Sequence, residues 1–143
     1  MNTETQLAQV FNDNFVAYFR SHVSHVNIMG RNFKSDHELL GGIYEDLQSQ
    51  IDTIAELLRT LDEFMPSSLN EVIDKSHIMS YDLEGTSETL LTDVKDDLEH
   101  LKECYVELMD ISEKEGHQEI ANYAQDRILA LSKHIWMLKA TLD

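Results

Sequence analysis

The chain has 143 residues, enough for one domain with its own core, and its formal net charge is −16, from 11 basic and 27 acidic residues. This charge argues against a free-standing nucleic-acid binder, which needs a basic surface. Cys104 is the only cysteine, so an intrachain disulfide is excluded and a reducing, cytoplasmic compartment is favoured. No apolar run approaches the ~18 residues that a membrane-spanning helix needs, and we expect no signal peptide at the N-terminus.

The first predicted helix runs from about Thr5 to Met29. Its stripe of apolar and aromatic positions recurs every three or four residues and comprises Leu7, Phe11, Phe15, Tyr18, His22, His25 and Met29. This spacing is typical of a helix packed on one face, and it places two histidines inside that face. Gly30 is then expected to end the helix as a left-handed cap.

The second predicted helix begins near Ser35 and Glu38, which have the Ser-x-x-Glu spacing of a capping box. Its broad apolar face comprises Leu39, Leu40, Ile43, Tyr44, Leu47, Ile51, Ile54, Ala55 and Leu58. Gly41 and Gly42 lie inside this helix, where each glycine costs roughly 1 kcal/mol relative to alanine. We therefore expect them to permit a close backbone approach or to leave room in a site.

The helical pattern stops between Asp62 and Gly85, apart from a two-turn helix predicted over Leu69–Lys75 after Pro66. So long a connection can span the length of a bundle and join two parallel helices. A third long helix is predicted from Thr86 or Ser87 to just before Gly116, and a fourth follows that glycine as its antiparallel neighbour. The prediction is therefore an all-α, ferritin-like four-helix bundle over residues 1–143, with a long crossover that contains a short helix between helices two and three.

Four side chains on the first two helices are candidate metal ligands: His25, His37, Asp52 and Glu56. Imidazole and carboxylate groups together suit a transition metal. Glu56 follows Asp52 by four residues, so both carboxylates share one helix face. Asp52 follows His37 by fifteen residues, about 22 Å along a straight helix, which is too far for one ion. Two copies of the second helix packed antiparallel about a two-fold axis could combine the ligands, which predicts a site shared between subunits.

Three of these ligands also have a simpler interpretation when they are taken alone. A histidine on an apolar face, such as His25, is more often a core residue than a ligand. Asp52 and Glu56 alone would be an ordinary solvated face. However, Ile54 and Ala55 place them near packed surface, where a cation would relieve the cost of uncompensated carboxylates.

Three stretches of the chain resemble the Dps family, the miniature ferritins. The first has the spacing His-x4-Gly-x2-Phe-x3-His and comprises His25, Gly30, Phe33 and His37. The second is IDTIAELL, residues 51–58. The third has the spacing Arg-x5-Lys-x2-Trp-Met-Leu and comprises Arg127, Lys133 and residues 136–138.

The resemblance implies a hollow shell of twelve subunits that oxidises ferrous iron, often with hydrogen peroxide, and stores ferric mineral inside. It implies a ferroxidase-type oxidoreductase, with hydrogen peroxide or dioxygen as the oxidant. Carried over by position, the iron ligands would be His25 and His37 from one subunit and Asp52 and Glu56 from its mate.

Two positions depart from the family pattern. Gly41 stands where the family commonly has an acidic residue, and Val26 stands where a tryptophan often follows the first histidine. The alternative function is therefore a Dps-like shell protein with weak or no ferroxidase activity and a structural or protective role. Several family members bind DNA through a lysine-rich N-terminal tail, whereas the first basic residue here is Arg20, so we expect no DNA binding.

Some polar residues are given only a structural interpretation. Cys104 is interpreted as buried packing. Three histidines have no evident partner in the sequence: His77, His100 and His134. The acidic run that includes Asp93, Asp96, Asp97 and Glu99 is interpreted as a solvated helix face.

Overall fold

The computed structural model describes residues 1–143 and contains five α-helices and no strand. They are α1 (Thr3–Asn27), α2 (Phe33–Thr60), α3 (Leu69–Lys75), α4 (Ser87–Lys114) and α5 (Gln118–Leu142). α1 packs against α2 and α4, and α4 packs against α5. This arrangement confirms the predicted all-α bundle of four long helices with a short helix in the crossover. None of the helices combines the length and the apolar composition that a membrane-spanning segment needs.

The apolar stripes of the four long helices meet in one core of 27 buried residues. Tyr105 of α4 and Phe11 of α1 are its largest fully buried side chains. The short helix α3 contributes Val72, and the segment after it contributes Ile78, to the same core. The crossover is therefore packed against the bundle.

The hairpin between α1 and α2 differs from its prediction. α1 ends at Asn27, two residues before Met29, and Gly30 lies in the turn with a φ of 128°. The predicted capping box is wrong, because α2 already begins at Phe33 and has no side-chain cap. The Ser35 hydroxyl donates to the Asn32 carbonyl oxygen instead (3.1 Å).

Two charged side chains of α1 hold the crossover against the bundle. The carboxylate of Asp13 is completely buried and accepts hydrogen bonds from the Ser76 hydroxyl (2.9 Å) and the main-chain N–H of His77 (2.7 Å). Arg20, also buried, donates to the Met79 carbonyl oxygen (3.1 Å) and to Asp97 of α4 (2.7 Å). Each charge is thus satisfied at least in part by the segment that follows α3.

The pairing of Asp97 with Arg20 corrects one expectation. Asp97 was expected on a solvated face, but its side chain is only 13% exposed. Burial raises the pKa of Asp97 to about 6, even though the hydrogen bond from Arg20 lowers it. Periodicity placed the residue off the apolar stripe but could not show that a buried guanidinium from α1 faces it.

A polar cluster joins α2 to α5. Asp46 accepts two hydrogen bonds from the guanidinium of Arg127 (3.0 and 2.9 Å), and Nε2 of His134 lies 2.9 Å from the same carboxylate. Burial alone would raise the pKa of Asp46, but the hydrogen bonds from His134 and Arg127 outweigh it and hold the pKa well below its usual range. His134 therefore has a partner that the sequence did not reveal.

We predict that Asp46→Asn lowers the stability of the protein by about 3 kcal/mol at pH 7, because it leaves the buried guanidinium of Arg127 without a counter-charge. Urea unfolding at matched protein concentration measures this difference. Because pairing lowers the pKa of Asp46 in the folded state, its contribution is complete above the usual aspartate pKa of about 4 and is lost only as the pH falls further.

Asp96→Asn is the matched control, because Asp96 is exposed and its ion-pair partner is the neighbouring Lys95 (3.1 Å). An exposed pair of this kind contributes about 1 kcal/mol or less. Equal unfolding midpoints for Asp46→Asn and the wild type at pH 7 would contradict the stabilising role of the Asp46 cluster.

Candidate metal centre

His25 and His37 face each other across the α1–α2 hairpin. Nδ1 of each ring lies 2.7 Å from the main-chain carbonyl oxygen of the other residue. Their rings stack with centroids 3.8 Å apart and planes inclined by 15°. The reciprocal hydrogen bonds tie the end of α1 to the first turns of α2.

These hydrogen bonds determine which nitrogen of each ring can bind a metal. A carbonyl oxygen only accepts, so Nδ1 of His25 and of His37 must carry the proton. Nε2 of each neutral ring then keeps its lone pair. Histidines that bind metals usually donate their other N–H to a carbonyl or carboxylate in this way. The hairpin therefore presents two imidazoles in the tautomer that suits Nε2 coordination.

Aromatic side chains fix the orientation of both rings. Phe33 stacks on His37, with centroids 5.0 Å apart. Tyr44 lies 4.9 Å from His25 and stacks almost parallel on His22, at 4.1 Å and 2°. This contact gives His22 a packing role between α1 and α2.

The two glycines of α2 have different surroundings. A Cβ atom at Gly41 would lie 3.0 Å from Cε1 and 3.3 Å from Nδ1 of His25, whereas a Cβ atom at Gly42 would meet nothing within 4 Å. Gly41 therefore leaves room for the imidazole, which was one of the two expectations for this glycine pair. No contact in the chain explains Gly42.

Asp52 and Glu56 lie on the exposed face of α2, close enough to interact. The hydrogen bond that a protonated Glu56 donates to Asp52, together with the repulsion between the two charges, raises the pKa of Glu56. A divalent cation could take the place of that shared proton. The two carboxylates line an open depression with Arg59, Phe64 and Met65.

The single chain does not bring the histidine pair and the carboxylate pair together. No three of the four predicted ligands lie within reach of one ion, and the one three-ligand cluster of the chain lies elsewhere. This separation agrees with the length of α2 between His37 and Asp52. A combined site needs a second subunit.

Comparison with known proteins identifies the family of this chain. A ferritin-like domain profile matches residues 4–143. A protein named "DNA protection during starvation protein" from Listeria monocytogenes is 31% identical over 127 residues, which are 85% of this chain and 79% of that protein. The crystal structure of Dps from the same species superposes with a TM-score of 0.93 at 26% identity, over 99% of this chain and 94% of that one.

This chain belongs to the Dps family. Antigen TpF1 of Treponema pallidum is a further relative, 35% identical over 138 residues that cover 96% of this Dps chain and 78% of the antigen. Membership supports a role in iron storage and protection, and it implies that the protein binds iron.

Sequence reasoning missed two polar clusters of this Dps protein. One is the Asp46 cluster, and the other contains Asp13, His77 and His100. Their members are 63 to 91 residues apart in pairs such as Asp13 with Ser76 and Asp13 with Cys104. The fifteen-residue spacing between His37 and Asp52 could be read from the sequence because both residues lie on one helix. The two clusters form only when separate elements pack together.

We predict that Gly41→Ala and Gly42→Ala have different effects on stability and metal binding. Alanine at position 42 should stabilise α2 by up to ~1 kcal/mol, because it is the better helix former and meets no neighbour in the chain. Alanine at position 41 should not stabilise the helix in this way, because the His25 ring must shift by a few tenths of an ångström to make room. Chemical unfolding and titration with Co2+ of both variants measure stability and imidazole placement. Identical stability and metal affinity in the two variants would show that Gly41 does not set the position of His25.

Proposed function

We propose that this protein oxidises ferrous iron at a site shared between two subunits and stores the ferric product inside a shell of twelve chains. The observation that carries the proposal is the pair of reciprocal Nδ1–carbonyl hydrogen bonds of His25 and His37. They leave two Nε2 atoms free at the surface of the hairpin, ready for an ion that carboxylates of another chain help to bind.

The donor set suits iron in both oxidation states. Two neutral imidazoles and the carboxylates of Asp52 and Glu56 form a mixed nitrogen and oxygen site that a borderline ion such as Fe2+ accepts. Two carboxylates bring a charge of −2, which favours the ferric ion over the ferrous ion. A bound cation would in turn relieve the repulsion that raises the pKa of Glu56.

The oxidation balances with hydrogen peroxide as the oxidant. Two ferrous ions give up one electron each, the O–O bond breaks, and two protons complete two water molecules. The ferric ions then hydrolyse and release protons as the mineral forms. The net charge of −16 per chain provides acidic surface on which ferric ion can collect.

The proposed site has two halves, the histidine pair and the carboxylate pair. Exposed apolar side chains beside each half-site support a subunit interface there. Val26 and Met29 adjoin the histidine pair and are 60% and 78% exposed. Phe64 and Met65 line the depression of the carboxylate pair and are 79% and 45% exposed. Large apolar groups exposed together are typical of an interaction surface. Docking one half-site on the other would bury these side chains and complete the ligand set.

One observation favours a second candidate, a shell protein with weak or no ferroxidase activity. The place of the family's acidic residue is taken by Gly41, and the imidazole of His25 fills the adjoining space. The site then has one carboxylate fewer, and water would complete the coordination. This second candidate predicts slow iron oxidation by an intact shell.

We predict that Asp52→Asn combined with Glu56→Gln lowers the rate of iron oxidation at least ~10–100-fold, because both charged ligands are lost while their shapes are kept. The measurement is ferric absorbance after anaerobic loading with Fe2+ and addition of peroxide, relative to a protein-free control. Size exclusion with light scattering should show the same assembly as the wild type.

The matched control for this double variant is Glu103→Gln with Glu107→Gln. These two carboxylates are also exposed and four residues apart on one helix, but they lie on α4, away from the proposed ligands. The control should retain the wild-type rate. An unchanged rate in the Asp52 and Glu56 variant would contradict the site, and a wild-type rate no faster than the protein-free reaction would favour the second candidate.

We also predict that the assembly does not retard duplex DNA at physiological salt. Twelve chains would carry a formal charge of −192, twelve times the −16 of one chain, and would repel the phosphate backbone. A gel-shift assay in metal-free buffer tests this directly. Retardation under those conditions would contradict the prediction, whereas retardation that needs divalent cations would show bridging between two polyanions.

A further inference from the structure

A second group of metal-binding side chains lies away from the hairpin. Asp13 of α1, His77 after α3 and His100 of α4 each offer a ligand atom, and these atoms all lie within 4.8 Å of one another. Nε2 of His100 is 3.2 Å from Oδ2 of Asp13, and Nδ1 of His77 is 3.9 Å from the same oxygen. We propose that this cluster is a separate binding site for a zinc-like divalent ion.

The distances fit tetrahedral coordination. Bonds of about 2.0–2.1 Å from zinc to nitrogen or oxygen place two ligand atoms about 3.3 Å apart. The Asp13–His100 distance already has this value within about 0.1 Å, and the Asp13–His77 distance exceeds it by about 0.6 Å. The His77 side chain is 62% exposed, so it can make that adjustment without disturbing the core.

The Cys104 thiol provides a fourth donor beside the cluster. Its Sγ atom lies 3.1 Å from Oδ2 of Asp13 and 3.5 Å from Nε2 of His100. With a zinc–sulfur bond of about 2.3 Å, a tetrahedral site would separate sulfur and nitrogen by about 3.5 Å. His100 and Cys104 are four residues apart on α4, so one helix face presents both.

The two carboxylate oxygens of Asp13 have different surroundings. Oδ1 accepts the structural hydrogen bonds, from the Ser76 hydroxyl, the His77 N–H and the Gln9 side-chain amide (3.1 Å). Oδ2 faces His100, His77 and Cys104, which are themselves donors for a metal. The carboxylate is therefore held in place by one oxygen while the other is available to an ion, as metal-binding carboxylates commonly are.

The donor set favours zinc over iron. Two imidazoles, one carboxylate and a thiol form a softer set than the hairpin ligands, and softer ligands select zinc, cobalt or copper. Metal binding would release the thiol proton that now faces Asp13. The bound ion would join α1, α4 and the crossover at one point, and His77 would give it access from solvent.

Titration of the metal-free protein with Co2+ tests the inference, since tetrahedral Co2+ absorbs visible light and a thiolate ligand adds a near-ultraviolet band. The wild type should show both bands, and Zn2+ should displace the cobalt. His77→Gln with His100→Gln should lose both bands and bind one equivalent of Zn2+ per chain fewer in calorimetry, or bind it at least ~10–100-fold more weakly. Should the double variant fold poorly, His77→Ala alone, at an exposed position, should show the same loss.

Three further variants distinguish this site from the hairpin site and from an isolated histidine–carboxylate pair. Asp52→Asn with Glu56→Gln should keep both bands, because it changes only the hairpin site's partner ligands. His117→Gln should also keep them, because His117 contacts a carboxylate, Glu119 at 3.7 Å, without a third ligand. Cys104→Ser should lose the near-ultraviolet band and keep the visible band.

Two outcomes would overturn the inference. The first is that His77→Gln with His100→Gln binds as many equivalents of Zn2+ as the wild type, with equal affinity. The Asp13 cluster would then be only the hydrogen-bonded anchor of the crossover. The second is that Co2+ gives no visible tetrahedral bands with the wild type, which would show that these side chains do not bind an ion in this geometry.

Discussion

The placement of the crossover depends on two buried charges of α1. Asp13 and Arg20 are seven residues apart, two helical turns, so they lie on the same face. An isolated charge in such a position would be very unfavourable. Each instead bonds to main-chain groups of the segment after α3, at His77 and Met79. These bonds bring a long irregular segment onto the bundle. As a result, α4 starts at the same end of the bundle as α2.

The α1–α2 hairpin shows how a helix can determine which ligands one chain combines. His25 and His37 meet because only a short turn separates them, and their two hydrogen bonds close the hairpin. Asp52 and Glu56 lie on the same helix as His37 but several turns further along. A rigid α2 keeps the two pairs apart, so one chain alone cannot bring all four side chains to one ion.

Local patterns predicted the fold well because helical periodicity is a local property. The short helix has the predicted bounds, Leu69–Lys75, and the four long helices lie where the apolar stripes place them. The predicted start of α2 was wrong because the Ser35 hydroxyl does not cap the helix. It donates a hydrogen bond to the carbonyl oxygen of Asn32 in the preceding turn. Asp13 lies off the apolar stripe of α1 and no local pattern marks it, since all its partners except Gln9 come from elements more than sixty residues away. His25 and His37 lie together because a single short turn connects their helices.

The missing carboxylate at position 41 is best understood together with His25. A Cβ atom at Gly41 would approach the imidazole to 3.0 Å, so an acidic side chain at this position could not coexist with the present ring placement. That placement is itself set by the bond from Nδ1 to the His37 carbonyl oxygen and by the nearby ring of Tyr44. An added carboxylate would therefore require the His25 ring to shift by a few tenths of an ångström. The absence of an acidic residue and the position of the histidine form one coupled arrangement, in which the imidazole of His25 occupies the space beside position 41.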